Sequence, residues 1–299
     1  MEDRRETALI RLPCLEERLR LPHVYAKCEM GNPTGTHKDR IAGGLVLAAI
    51  RDGAAGVTAG SCGNLGVALS RASRARGLSC TVFVPIRYHH TRSEEMTGLG
   101  AVVIARGDNY EAAVRASRSF ARKRRLFDAN PVGRGGRIAI LAYGAIVDEL
   151  MAQCPVPLGS IWLPVGNGTC AAGVHARLRH HGVEVRIGVV GSAGNTALTA
   201  SLASGRLVEL DAARLLETEV NEPLVNWSSF HAREAMDAVL GTGGHFCDAT
   251  DEQLVLASDG MLRHAGLRVS PAGAAGLVGL RAFASQLDRA SAHVVVLTG

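Results

Sequence analysis

The stretch Met30-Gly31-Asn32-Pro33-Thr34-Gly35-Thr36-His37-Lys38-Asp39-Arg40 decides how this chain is read. Asn-Pro and Thr-Gly are turn dipeptides and force a tight loop. A helix over 40–51 starts directly after Lys38, with Ile41, Leu45, Ala48 and Ala49 on one face. A lysine at such a junction is held in place by a short, stiff loop. If desolvated, its pKa falls and the neutral amine becomes a nucleophile toward aldehydes. Taken alone, Lys38 reads more simply as an exposed residue beside a helix start.

Outward from that loop, short apolar runs alternate with longer helical patterns. Strands are expected at 24–28, 56–59, 80–84, 101–105, 161–164, 186–190 and 294–297. Helices are expected at 66–76, 110–124, 138–153, 170–181, 229–240, 251–265 and 272–286, with Gly144 weakening the fourth pattern in the chain. Thr250 with Gln253 reads as a capping box. Strand–helix alternation over the whole length implies an α/β fold with parallel sheets and helices on both faces. Continuous apolar strands agree, because such strands are buried on both sides. The Pro-rich connection at 153–159 suits a crossover between domains.

Two further glycine-rich turns lie between strand and helix. The first is Ala59-Gly60-Ser61-Cys62-Gly63-Asn64-Leu65-Gly66, and the second Pro164-Val165-Gly166-Asn167-Gly168-Thr169-Cys170. Main-chain N–H groups at such turns, with a helix N-terminus behind them, bind anions. A carboxylate would fit the first and a phosphate the second. The second is neither a Walker loop nor a dinucleotide fingerprint, since the required spacings are absent.

The chain has 299 residues, and a prior of ~150 residues per domain suggests two domains or one large unit. Hydrophobic residues make up 47%, enough for a sizeable core, while only 4% are aromatic. The formal charge is +5, and its densest run is Arg122-Lys123-Arg124-Arg125. No aromatic residue is interleaved there to stack bases, so the run reads as a solvated helix end and not as a nucleic-acid site. The seven cysteines are odd in number and irregular in spacing, which argues for reduced thiols in a cytoplasmic protein. No signal peptide and no run of ~20 apolar residues is seen, so no membrane span is expected. His89-His90 and His180-His181 are poor joint ligands, because adjacent helical positions point apart. The acidic residues show no metal-ligand spacing either, and no metal is expected.

Asn32-Pro33-Thr34-Gly35-Thr36-His37-Lys38-Asp39-Arg40, followed by Ser61-Cys62-Gly63-Asn64 and then Gly166-Asn167-Gly168-Thr169, resembles the fold-type II pyridoxal-phosphate enzymes. Those include threonine synthase, cysteine synthase and the serine/threonine dehydratases. Thr7-Ala8-Leu9-Ile10, Asn226-Trp227, residues 271–275 and the ending Val296-Leu297-Thr298-Gly299 resemble the threonine synthase branch, so the likeness runs from about Thr7 to Gly299. It implies two three-layer α/β domains with mostly parallel sheets. A large cofactor-binding domain would comprise 1–38 plus 151–299, and a smaller domain, 39–150, would close on the substrate.

By the same resemblance the cofactor is pyridoxal 5'-phosphate, held by Lys38 as a Schiff base. Asn64 would bond its ring hydroxyl, and Gly166, Asn167, Gly168, Thr169 and Cys170 its phosphate. Thr298 would meet the pyridine nitrogen. Ser61, Cys62, Gly63 and Leu65 would hold the substrate carboxylate. The implied reaction is lyase or transferase chemistry at Cβ or Cγ of a small amino acid. It would be threonine synthase-like and pass through an aminoacrylate-type intermediate. Cysteine synthase-like β-replacement and serine/threonine dehydration are alternatives, and a non-catalytic pyridoxal-phosphate-binding protein is a further one. A homodimer is implied by resemblance alone.

Three departures stand out. His37 replaces the family's Phe and reads as a polar residue on the rim, with a proton carrier as the alternative. Cys62 replaces a Ser of the carboxylate turn. Ala142-Tyr143-Gly144-Ala145 stands where threonine synthases carry G-Q-K-T, which weakens the case for O-phosphohomoserine. Thr298, one residue from Gly299, is expected to fray.

Overall fold

The computed structural model describes residues 6–61, 63–86 and 92–299; Cys62, His89 and His90 lie outside the described residues. The chain separates into two compact units, Met1–Gly31 with Tyr143–Gly299, and Asn32–Ala142. The boundaries expected from sequence fall a few residues away, and the difference matters at one place. Lys38 belongs to the second unit.

In chain order the first unit opens with β1 (Leu9–Arg11), α1 (Pro13–Leu19) and β2 (Val24–Cys28). The second unit follows with α2 (Lys38–Arg51), β3 (Gly56–Gly60), α3 (Asn64–Arg74), β4 (Ser79–Val84), α4 (Ser93–Gly98), β5 (Val102–Ala105), α5 (Tyr110–Arg124) and β6 (Phe127–Asp128), and α6 (Arg134–Tyr143) ends at its boundary. The chain returns to the first unit through α7 (Ala145–Gln153), β7 (Leu158–Pro164), α8 (Thr169–His181), β8 (Arg186–Ser192) and α9 (Ala197–Ser204). It finishes with α10 (Ala232–Gly241), β9 (Phe246–Ala249), α11 (Asp251–Ala265), α12 (Gly276–Phe283) and β10 (Ala292–Leu297).

The first unit carries a six-stranded sheet, order β1-β2-β10-β7-β8-β9, and the second a four-stranded sheet, order β5-β4-β3-β6. Among the described residues only β1 pairs antiparallel, with β2; every other pairing of these strands is parallel. The α/β class with mostly parallel sheets is therefore as the sequence implied. β2, β3 and β10 are buried along their whole length, which explains their mostly apolar character; the polar Lys27, Thr58 and His293 are enclosed with them. The expected capping box on α11 is present in both directions: Gln253 N donates to Thr250 Oγ1 at 3.3 Å, and Thr250 N donates to Gln253 Oε1 at 2.9 Å.

The single helix expected over 138–153 is two, α6 and α7, divided at Gly144. Glycine loses more backbone entropy in a helix than other residues and supports no packing there. Ser229 and Phe230, expected inside a helix, instead lie in the connection before α10.

In the first unit Trp162, Met261, Leu277, Leu280 and Val295 share one core cluster. Trp162 stacks on His245 with ring centroids 6.0 Å apart, and His245 stacks on Phe283 at 4.4 Å. A buried ion pair also ties this unit. Lys27 Nζ, fully enclosed, lies 2.5 Å from Glu149 Oε2 and donates to Thr7 O at 2.7 Å and Gln153 Oε1 at 2.8 Å. It joins the chain before β1 to β2 and α7. Among the described residues no helix is long and apolar enough to cross a membrane.

Candidate active site

The turn from β7 into α8 is built by what its carbonyls do. Gly166 O accepts from Ser229 Oγ at 3.1 Å, and Asn167 O accepts from His231 N at 3.0 Å. A trans peptide directs its C=O and N–H oppositely. The N–H groups of Asn167 and Gly168 therefore point away from residues 229–231, beside the first turn of α8. That is a concave set of donors with a helix N-terminus behind it.

Both glycines are required by close approach. A Cβ on Gly166 would stand 3.0 Å from Pro223 O, and one on Gly168 would stand 2.7 Å from Ala235 Cβ and 2.9 Å from His231 O. Gly168 also has φ +79°, in the left-handed region. The Asn167 side chain accepts from Phe230 N at 3.3 Å, and Thr169 Oγ1 lies 2.9 Å from His231 Nδ1. His231 is buried, and that burial lowers its pKa and keeps the imidazole neutral.

Asn226 completes the turn. Its Oδ1 accepts from Ala197 N at 3.0 Å and Ser229 Oγ at 3.3 Å, which fixes the amide. Among the described residues its buried Nδ2 has no hydrogen-bond partner, and it faces the Gly166 position, 3.6 Å from where a Cβ would be. A buried donor left unpaired is costly and calls for an acceptor. A phosphate group fits these donors.

Thr298 is buried, and its N–H donates to Gly273 O at 3.2 Å. Gly299 O accepts from Ser270 Oγ at 2.7 Å. The structure thus joins the end of β10 to the turn at 270–274, and these contacts oppose the fraying expected at Thr298.

The lysine lies in the second unit. Gly35 N donates to Asn32 O at 2.8 Å, closing the tight turn expected at Asn-Pro-Thr-Gly. Asp39 Oδ2 accepts from Thr34 N and Thr34 Oγ1, both at 2.8 Å, and Thr36 Oγ1 accepts from Lys38 N at 3.2 Å. These bonds hold Lys38 as the first residue of α2. Its Nζ lies 3.1 Å from His37 Nε2, so the residue that replaces the family's Phe touches the amine directly.

The second turn is organised around Ser61. Its Oγ accepts from Gly66 N at 2.9 Å and Gly63 N at 3.2 Å, and is nearly inaccessible. The hydroxyl therefore serves the start of α3. Gly60 N donates to Asn130 Oδ1 at 2.8 Å, and fully buried Asn130 is itself held by Ser117 and Asp128. Asn64 is the first residue of α3, and its Oδ1 accepts from Arg92 Nη1.

Sequence reasoning did not find Ser229, His231, Asn130 or Arg92. Each acts across tens of residues of chain, and none belongs to a short motif.

The profile of the pyridoxal-phosphate dependent enzyme family matches residues 1–299. The chain belongs to that family. Its cofactor is pyridoxal 5'-phosphate, and the donor set at 166–170 suits that cofactor's phosphate. A threonine synthase from Methanocaldococcus jannaschii is 26% identical over 98% of this chain and 74% of that protein. A biosynthetic chloroplastic threonine dehydratase from Arabidopsis thaliana is 29% identical over 92% of this chain, but the match spans only 45% of that longer protein. Among solved structures, maize serine racemase superposes with a TM-score of 0.85 at 19% identity, covering 99% of this chain and 89% of the racemase. A fungal L-serine ammonia-lyase from Rhizomucor miehei gives 0.83 at 22% identity, covering 99% and 93%. At such identities the structural likeness shows the fold of the pyridoxal-phosphate dependent enzymes and nothing finer.

Proposed function

We propose that this pyridoxal-phosphate dependent enzyme removes or replaces a substituent at Cβ or Cγ of a small amino acid, in the manner of a threonine synthase. The observation that carries this reading is the Lys38–His37 pair: a primary amine fixed at a helix start, 3.1 Å from a ring nitrogen able to take or give a proton. The cofactor supplies an electron sink that makes the Cα proton of a bound amino acid acidic.

In this reading Lys38 Nζ would hold the cofactor through its aldehyde carbon, and the same amine would serve as general base toward the Cα proton of a bound amino acid. Gly166, Asn167, Gly168, Thr169 and Cys170 hold the phosphate, with Asn226 Nδ2 as an added donor. Asn64 donates to the ring hydroxyl. Ser61 shapes the turn that, with Cys62, Gly63 and Leu65, receives the substrate carboxylate. Thr298 presents a neutral hydroxyl to the pyridine nitrogen; unlike a carboxylate, a hydroxyl does not hold that nitrogen protonated.

A second reading is simple elimination, as in a dehydratase. It is favoured by the several threonine dehydratases among the relatives and by the missing lysine near Ala142. A homodimer is part of the proposal and is checked by sedimentation equilibrium.

The test has two steps. Borohydride should fix the cofactor covalently in the loaded protein but not in K38A. A panel of O-phosphohomoserine, O-phosphoserine, O-acetylserine, serine and threonine then sorts the reactions. Phosphate release indicates the phosphorylated donors, and keto acid release from serine or threonine indicates dehydration. Covalent fixation in K38A, or no turnover and no spectral change with any of the five, overturns the reading.

A further inference from the structure

We propose that Arg92 is a positioning residue that acts through Asn64, fixing its side-chain amide with the nitrogen, not the oxygen, turned to the cofactor's ring oxygen. This rests on the role given to Asn64 above.

The inference starts from a chemical asymmetry. A guanidinium has donors and no acceptor. Arg92 Nη1 donates to Asn64 Oδ1, so the atom facing Arg92 is the oxygen. Amide oxygen and nitrogen are assigned from their hydrogen-bond network, and here a donor-only group settles the assignment. That leaves Asn64 Nδ2 as the donor end of the amide.

Arg92 is itself tethered. Its Nε donates to Glu95 Oε2 at 2.9 Å, and its Nη2 lies 2.7 Å from the same oxygen. Its stem runs along the carboxylate turn, with Cδ 3.4 Å from the position of a Cβ on Gly63. The guanidinium is thus anchored at the start of α4 and laid across the start of α3.

Two consequences follow for the site. The terminal torsion of an asparagine is roughly two-fold, so a free Asn64 could present either atom. The flipped amide would set its oxygen lone pairs against the ring oxygen, which is repulsive. Arg92 removes that alternative. A charged donor on Oδ1 also polarises the amide and strengthens its N–H donors. A hydrogen bond to the ring oxygen favours the ionised oxygen, and with it the visible absorption band of the lysine-linked cofactor.

The experiment loads the cofactor-free full chain with pyridoxal 5'-phosphate. It reads the dissociation constant by fluorescence titration and the ratio of visible to near-ultraviolet absorption. The set comprises wild type, R92M, R92K, N64A and N64A/R92M, with far-ultraviolet circular dichroism reporting the fold. R92M should weaken cofactor binding about tenfold and lower the visible fraction, since a charge-assisted bond is lost. R92K should recover part of both. In the N64A background R92M should add nothing, because the effect runs through Asn64. If R92M fails to fold, E95Q, which loosens the anchor, should move both readouts the same way by less. Unchanged readouts in R92M and E95Q, or an equal R92M effect with and without Asn64, overturns the proposal. An N64A protein with wild-type binding and spectrum instead overturns the role of Asn64, and that of Arg92 with it.

Discussion

Asn226 Nδ2 stands 3.6 Å from the point a Cβ on Gly166 would occupy, and among the described residues it has no hydrogen-bond partner. The amide oxygen is already engaged by Ala197 N and Ser229 Oγ, so the nitrogen cannot turn away without breaking both bonds.

N226D tests this directly. Asp keeps an oxygen for Ala197 N and Ser229 Oγ but replaces the free donor with an anionic acceptor. Affinity for pyridoxal 5'-phosphate should fall on the order of a hundredfold, since a donor to a charged group is lost and like charges are brought together. Fluorescence titration measures it. Wild-type affinity in N226D would show that the phosphate does not face this amide.

Gly168→Ala should be costly even without cofactor. The added methyl meets Ala235 Cβ at 2.7 Å and His231 O at 2.9 Å, and Ala must adopt φ +79°. A cost of about 1–3 kcal/mol is expected, read from urea unfolding of the cofactor-free protein. Cofactor binding should be lost in the same variant.

Stability should fall as the solution is acidified below neutrality. Burial lowers the pKa of His231, His245 and His293 below the ordinary value of 6.5. The folded protein therefore holds these rings neutral where the unfolded chain already binds protons. Their contribution is fully present above 6.5 and declines as pH drops through 6.5 toward the folded values. Urea midpoints of the cofactor-free protein at about pH 7.5 and about pH 5.5 should differ, and H231Q with H293Q should shrink the difference. Equal midpoints would contradict the neutral burial of these rings.

Lys27→Met should destabilise the first unit strongly. It removes the cation from Glu149 Oε2 and a donor from Thr7 O and Gln153 Oε1, all within 2.8 Å of the ammonium. Breaking one side of a buried pair costs about 3–5 kcal/mol. Replacing Glu149 by Gln in the same chain should return part of it, as thermal unfolding would register. A double variant no more stable than K27M would mean that the charge of Glu149 is already well solvated.

Much of the site was legible because it is local. Residues 30–40 carry their turn in Asn32-Pro33 and Gly35, and the structure closes that turn through Asn32 O. The capping box at Thr250 and Gln253 needs only four consecutive residues, and it formed as read. Where one long helix was expected over 138–153, the apolar period continued across Gly144 while the backbone did not. The short strand β9 and helix α9 left too few periods to recognise.

The linear chain by itself determined the α/β alternation, the lysine at its stiff junction and the two glycine turns, because turn chemistry and side-chain period act between near neighbours. Only the tertiary structure decided that Ser229 and His231 turn the carbonyls of Gly166 and Asn167 outward, that Asn226 offers an unpaired donor, and that Arg92 orients Asn64. Those contacts join residues 28 to 64 positions apart. Hydrogen bonds across such separations depend on how strands and helices pack, and no periodicity in the sequence encodes them.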